Sequence, residues 1–158
     1  MSSILPRFDF RAEYSLTSDI GATREQYEDA ALVAPELGLF AVADGMGGHL
    51  AGEVAARLAV EQVKQSLAGR SAQRALDAYV AGADLNARRR VFAELKRAVE
   101  RANAFIRADA EQNPEHRGMG TTLDVVWFAR DHAFIAHAGD GRVYLARPLF
   151  ASRRHRYK

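Results

Sequence analysis

Residues 39–53 read LFAVADGMGGHLAGE. An apolar run from Leu39 to Ala43 leads into Asp44. Gly45, Gly47, Gly48 and Gly52 follow, and an alanine-rich helical pattern starts at Ala51. The run after Gly38 has the length and composition of a buried strand, which is predicted over Gly38 to Ala43. A carboxylate at the tip of such a strand, on a backbone open to close approach, suits a metal ion or a phosphate. The same stretch also suits a tight strand-to-helix turn whose aspartate caps the helix. The segment alone leaves both readings open.

Downstream, Val60, Val63 and Leu67 share one face of the predicted helix, and Gly69 is a candidate C-cap. Leu76 to Val80 extends a second helix or a loop, which Gly82 interrupts. Asp84 and Asn86 are both good N-cap types. The longest predicted helix runs from Arg88 to Ala110. Its apolar face is Val91, Leu95, Ala98, Ala102 and Phe105. The opposite face carries Arg90, Glu94, Arg97, Glu100, Arg101 and Arg107, the pattern of a solvated surface rather than a ligand site. Asn113-Pro114 ends the helix.

Strand-like segments flank these helices. Ala12 to Ser18 and Ala30 to Val33 precede them. Thr121 to Ala129, Ala133 to Ala138 and Arg142 to Ala146 follow, rich in β-branched and aromatic residues. Turns at Arg130-Asp131 and at Gly139 to Gly141 make these last three an antiparallel meander. Strands, then helices, then strands indicate the α+β class.

Composition sets looser bounds. A chain of 158 residues is one domain with a real core. Cysteine is absent, which excludes a disulfide frame and a cysteine zinc site. No apolar run approaches the ~20 residues of a membrane span. The start, MSSILPRFDF, lacks the apolar stretch of a signal peptide, so a cytoplasmic location is expected. The formal charge of +2 owes its sign to Arg153, Arg154, Arg156 and Lys158 at the end; without them the rest is slightly acidic. A short basic end is not a basic face, so no nucleic-acid partner is expected. The glycines do not form a nucleotide loop. From Gly45, G-x-G-x-x-G would need glycine where Leu50 stands, and no G-K-[ST] follows.

Three more stretches join the first. Ser18 to Asp29 reads SDIGATREQYED, Gly118 to Thr122 reads GMGTT, and Ala138 to Arg142 reads AGDGR. In this order the four resemble the PPM-type, or type 2C, metal-dependent protein serine/threonine phosphatases, especially the bacterial branch. The resemblance spans about Thr17 to Arg147. It implies two antiparallel sheets packed face to face and flanked by helices, here an incomplete four-layer α-β-β-α sandwich. Residues 1–147 would be the N-terminal part of such a phosphatase domain, and 148–158 a basic tail outside the pattern.

The chemistry implied is hydrolysis of phosphoserine and phosphothreonine esters in proteins. The nucleophile would be a metal-bound water, with two Mn²⁺ or Mg²⁺ ions as cofactors. Such hard ions take oxygen ligands. By resemblance Asp44 bridges the two ions and Gly45 offers its carbonyl. Glu28 and Asp29 lie in or just outside the coordination shell. Arg24 grips the substrate phosphate, a task suited to a planar guanidinium, and with Asp44 forms the catalytic pair. Asp140 is a nearby second-shell acid or the start of a turn. His49 reads as a packing or loop residue, His137 as a satisfied core histidine, and Asp124 as facing solvent. Met46 stands where some members carry a histidine acid, so no protein general acid is assigned.

Some positions depart from the pattern. Tyr27 replaces the usual Asn, and Gly141 the usual Ser of G-D-S-R. Members of the family continue through S-D-G and D-N motifs that bring further metal-binding aspartates, and the sequence stops before them. It could be a frame-shifted end, a fragment or a natural truncation. At least one ion is then expected to bind weakly. Uncovered sheet edges and an apolar inner face are expected to invite self-association. The alternative function is a catalytically inactive remnant that binds phosphoproteins or a partner.

Overall fold

A computed structural model describes residues 2–4, 11–20, 27–47 and 51–146. Strands β1 (Ser2–Ile4) and β2 (Arg11–Glu13) form a two-stranded antiparallel ribbon. Next come β3 (Asp29–Ala34), a 3-10 turn (Pro35–Leu37) and β4 (Leu39–Met46). Gly38 makes this hairpin possible at φ 65°, a left-handed conformation that glycine adopts without strain. Three helices follow: α1 (Ala51–Ala68), α2 (Arg70–Gly82) and α3 (Leu85–Gln112). The chain then returns as β5 (Gly120–Thr121), β6 (Leu123–Ala129) and β7 (His132–Ala138). The main sheet has the order β3-β4-β6-β7, antiparallel throughout, with β5 pairing the end of β4.

β4 organises this sheet. Leu39, Ala41, Ala43 and Gly45 are buried, whereas Val42, Asp44 and Met46 are exposed. The strand is therefore longer than the predicted Gly38 to Ala43 and is buried on one face only. β5 prolongs its ladder, pairing Gly45 with Thr121 and Met46 with Gly120. Asp44 consequently lies inside the strand, not at its tip.

The helices cover the buried face. α1 presents Ala51, Ala55, Ala56 and Ala59 together with Val60, Val63 and Leu67. Small side chains near its start let it lie close to the sheet, and larger ones fill the space further on. α3 buries Val91, Leu95, Ala98, Ala102 and Ile106. Phe105, predicted for that face, is 44% exposed. A step of four from Ala102 reaches Ile106, which keeps the stripe aligned where a step of three rotates away from it. Trp127 is fully buried, and its indole N–H donates to the Leu37 carbonyl at 3.1 Å. The charged side of α3 is solvated as expected, with exposed pairs such as Lys96–Glu100 that add little stability.

Other boundaries also shift. Gly69 is the N-cap of α2 in an extended conformation, not a left-handed C-cap of α1. α2 runs through the whole of 70–82, and Ala83 takes the left-handed position after it. Asp84 caps α3, accepting from the Ala87 N–H at 2.7 Å, so that helix starts before Arg88 and encloses Asn86. Ala12 to Ser18 is a strand only as far as Glu13, and Arg142 to Ala146 forms no strand. Residues 147–158, with the basic tail, lie outside the described residues.

The second face of the sheet has no helical layer among the described residues. Val42, Ile135 and Leu16 are exposed there or beside it, by 49%, 44% and 54%. The main sheet, one layer of helices and an open inner face make up the incomplete sandwich that the motifs imply. No described helix is long and apolar enough to cross a membrane.

The α3 stripe yields a direct comparison. Leu95→Ala should cost about 2–5 kcal/mol in urea unfolding. Phe105→Ala should stay within about 0.5 kcal/mol of the parent. Equal losses would contradict this helix orientation.

Candidate functional site

The pairing of β3 with β4 sets Asp29 directly opposite Asp44. Opposed residues of an antiparallel pair project to the same face, here the one away from the helices. Like charges so placed repel, and a cation between them reverses the sign of that interaction. Asp124 of β6 stands opposite Val42 on one side and His137 on the other, so it shares this face. Asp29, Asp44, Asp124 and Asp19 all line an open groove of about 420 Å³, with Thr122 and Arg142 at its wall.

The backbone of Asp44 is held at three points. Its N–H donates to Thr122 Oγ1 at 2.9 Å. Its carbonyl accepts from the Thr122 N–H at 2.9 Å and from Thr121 Oγ1 at 3.0 Å. Thr122 is itself buried, which fixes the clamp in place. Sequence reasoning marked GMGTT as a motif but assigned these threonines no role. The signal was present in two adjacent β-branched hydroxyls, one for each side of the strand.

Gly45 and Gly52 explain the close fit behind Asp44. The Gly45 N–H donates to the Glu28 carbonyl at 3.0 Å. A Cβ on Gly45 would collide with the backbone carbonyls of Gly52 and Glu28. A Cβ on Gly52 would meet the Met46 nitrogen at 3.2 Å and the Glu28 carboxyl carbon at 3.3 Å. The Glu28 side chain therefore faces the first turn of α1, where an acid is favoured by the helix dipole. Asp29, one residue on, faces the groove.

The remaining expected site residues fall as follows. Arg24 and His49 lie outside the described residues. Asp140 is exposed in the turn after β7, and Arg142 Nη1 donates to the carbonyls of Asp140 and Gly141 at 2.7 and 2.6 Å. Asp124, expected to face solvent, is only 3% exposed. His137, expected in the core, has a side chain 43% exposed, and its Nδ1 donates to Asp124 Oδ1 at 2.6 Å. The correction has a physical cause: β6 is flanked by β4 and β7, and the following turn folds over Asp124. At the far end of this hairpin, hydrogen bonding to His132 holds Asp131 below the usual carboxylate range.

Among the described residues no three His, Asp or Glu side chains converge as a metal-holding group. Two opposed carboxylates beside a glycine backbone nonetheless offer the hard oxygen donors that Mg²⁺ or Mn²⁺ takes. Such ions use one or two carboxylates and fill the rest of their shell with water and phosphate oxygens. The residues present fit an ion of this kind.

The sequence profile of the protein phosphatase 2C family matches residues 24–152. The chain belongs to that family. Serine/threonine protein phosphatase PstP of Mycobacterium tuberculosis is 39% identical over 134 residues, covering 85% of this chain and 23% of PstP. Protein phosphatase PhpP of Streptococcus pneumoniae is 33% identical over 143 residues, covering 85% of this chain and 50% of PhpP. The solved catalytic domain of PstP in complex with 2 manganese ions is similar at a TM-score of 0.59 and 37% identity, over 78% of this chain and 46% of that one. This phosphatase 2C chain thus spans half or less of the length of these relatives.

The two glycine environments near Asp44 differ sharply. Gly45→Ala should lower stability by about 3 kcal/mol, since backbone must move. Gly120→Ala meets only the flexible Met46 side chain, at 3.3 Å, and should cost under about 1 kcal/mol. Thermal unfolding of both variants checks the order, and a tolerated Gly45→Ala would contradict the close approach of β4 to α1.

Proposed function

We propose that this chain is a metal-dependent phosphatase unit for phosphoserine and phosphothreonine in proteins. The observation that carries the proposal is Asp29 opposite Asp44, beside Gly45, on the open face of a phosphatase 2C sheet. The names of PstP and PhpP support the reaction class, and the manganese-bound PstP domain supports a two-ion site.

In this proposal Asp44 would hold the Mn²⁺ or Mg²⁺ ions. Gly45 would offer its backbone carbonyl and Asp29 a carboxylate oxygen. Bound divalent ions supply a water of lowered pKa and neutralise charge on the phosphoryl group. The chain's own residues do the positioning. Thr121 and Thr122 keep Asp44 from swinging, and Glu28 braces the start of α1 behind it. Arg24 grips the substrate phosphate, and Asp140 acts from the turn beyond β7. Phosphorylated proteins are the substrates, and the open sheet face is the surface for self-association. Residues 1–147 belong to the N-terminal part of the phosphatase domain, 148–158 carry the basic end, and the location is cytoplasmic.

A second function is phosphoprotein binding without turnover. It is favoured by the absence, among the described residues, of three converging metal-ligating side chains.

Hydrolysis of p-nitrophenyl phosphate by the purified chain distinguishes the two. Turnover should require Mn²⁺ and fall at least about a hundredfold in Asp44→Asn, the upper end of what groups one shell further out contribute. A folded parent chain that binds a phosphopeptide but hydrolyses nothing would overturn catalysis in favour of binding.

A further inference from the structure

Two side chains, Thr122 between β5 and β6 and Asp124 of β6, lie under two glycines of one turn. A Cβ on Gly139 would be 2.7 Å from Thr122 Cγ2. A Cβ on Gly141 would land on Asp124 Oδ2. Gly139 stands at φ 106°, and Arg142 closes on the carbonyls of Asp140 and Gly141, so the turn is tight as well as close. Thr122 and Asp124 are both buried beneath it.

The two carboxylate oxygens of Asp124 do different work. Oδ1 accepts a hydrogen bond from His137 Nδ1 at 2.6 Å. Oδ2 occupies the room that a side chain at position 141 would need. A side chain at 141 would therefore require the Asp124 carboxylate to move. The contact chain then runs from Asp124 through the seated turn to Thr122, and from Thr122 by two hydrogen bonds to Asp44.

We propose that Asp124 is a positioning residue of the groove. It seats the Gly139–Arg142 turn on β6, and the seated turn holds Thr122 and hence Asp44 where a metal ion is taken. This rests on Asp44 being a metal-holding residue. The role depends on the shape of the group and on an acceptor for His137, not on its charge. Asparagine supplies both, so it should replace Asp124, whereas a metal ligand at 124 would need the carboxylate.

The test is Mn²⁺ affinity, read from the electron paramagnetic resonance signal of free Mn²⁺, with melting temperature followed in parallel. Asp124→Ala, folded by circular dichroism, should bind Mn²⁺ about tenfold to a hundredfold more weakly. Asp124→Asn should match the parent. Gly141→Ala should weaken binding alone but add nothing to Asp124→Ala, because the smaller residue makes room for the new methyl group. Unchanged affinity in folded Asp124→Ala, equal losses in Asp124→Asn and Asp124→Ala, or additive losses in the double variant would each overturn the proposal. If Asp124→Ala does not fold, Gly141→Ala decides, and unchanged affinity and melting overturn it. If the parent chain binds no Mn²⁺, the metal reading of Asp44 fails. The melting temperatures still decide the contact, since additive losses from Asp124→Ala and Gly141→Ala would refute the seating.

Discussion

The backbone of β4 at Gly45 meets the first turn of α1 at Gly52 with no room for a side chain on Gly45 and little for one on Gly52. Most of the architecture follows from that approach. Once α1 lies so near the sheet, the residues of β4 that face it must be small, as Ala41, Ala43 and Gly45 are. The alanines of α1 complete the fit, and α3 packs beside it through Val91, Leu95 and Ala98. With one face of β4 committed to helices, strand alternation sends Val42, Asp44 and Met46 to the other. The burial that stabilises the fold and the exposure of the carboxylate are two consequences of a single contact.

On the open face the balance of forces changes. Asp29 and Asp44 are opposed in register, and like charges so placed repel. The three hydrogen bonds between the Asp44 backbone and Thr121 and Thr122 hold the strand in this register. Under the proposed metal reading, ion binding and local order at the groove are coupled, and the site tightens when it is loaded.

Much of this was legible in the residues. The glycine spacing after Asp44, the helical stripe from Val60 to Leu67, the strand at Ala30 to Val33 and the α+β class all follow from local pattern. Misses arise where distant partners decide. Asp124 looks like a surface residue in a strand pattern, because nothing local reveals the turn that covers it. Counting outward from Arg130-Asp131 would have set it against His137, since the hairpin register is regular. Asp44 looks terminal because β5, only two residues long, prolongs β4 from far along the chain. Phe105 and Ile106 differ by one step on a long helix, and the drift of the stripe decides between them. Arg24 carries the phosphate role by resemblance only and lies outside the described residues.

The central claim is that Asp29 and Asp44 hold a divalent ion between β3 and β4. Anomalous diffraction at the manganese edge, from crystals of the chain grown with MnCl₂, tests it most directly. A manganese peak within bonding distance of Asp44, on the groove side beside Asp29 and Gly45, is the predicted result. A fully ordered groove with no manganese at Asp44, or manganese bound only elsewhere on the molecule, would contradict the account.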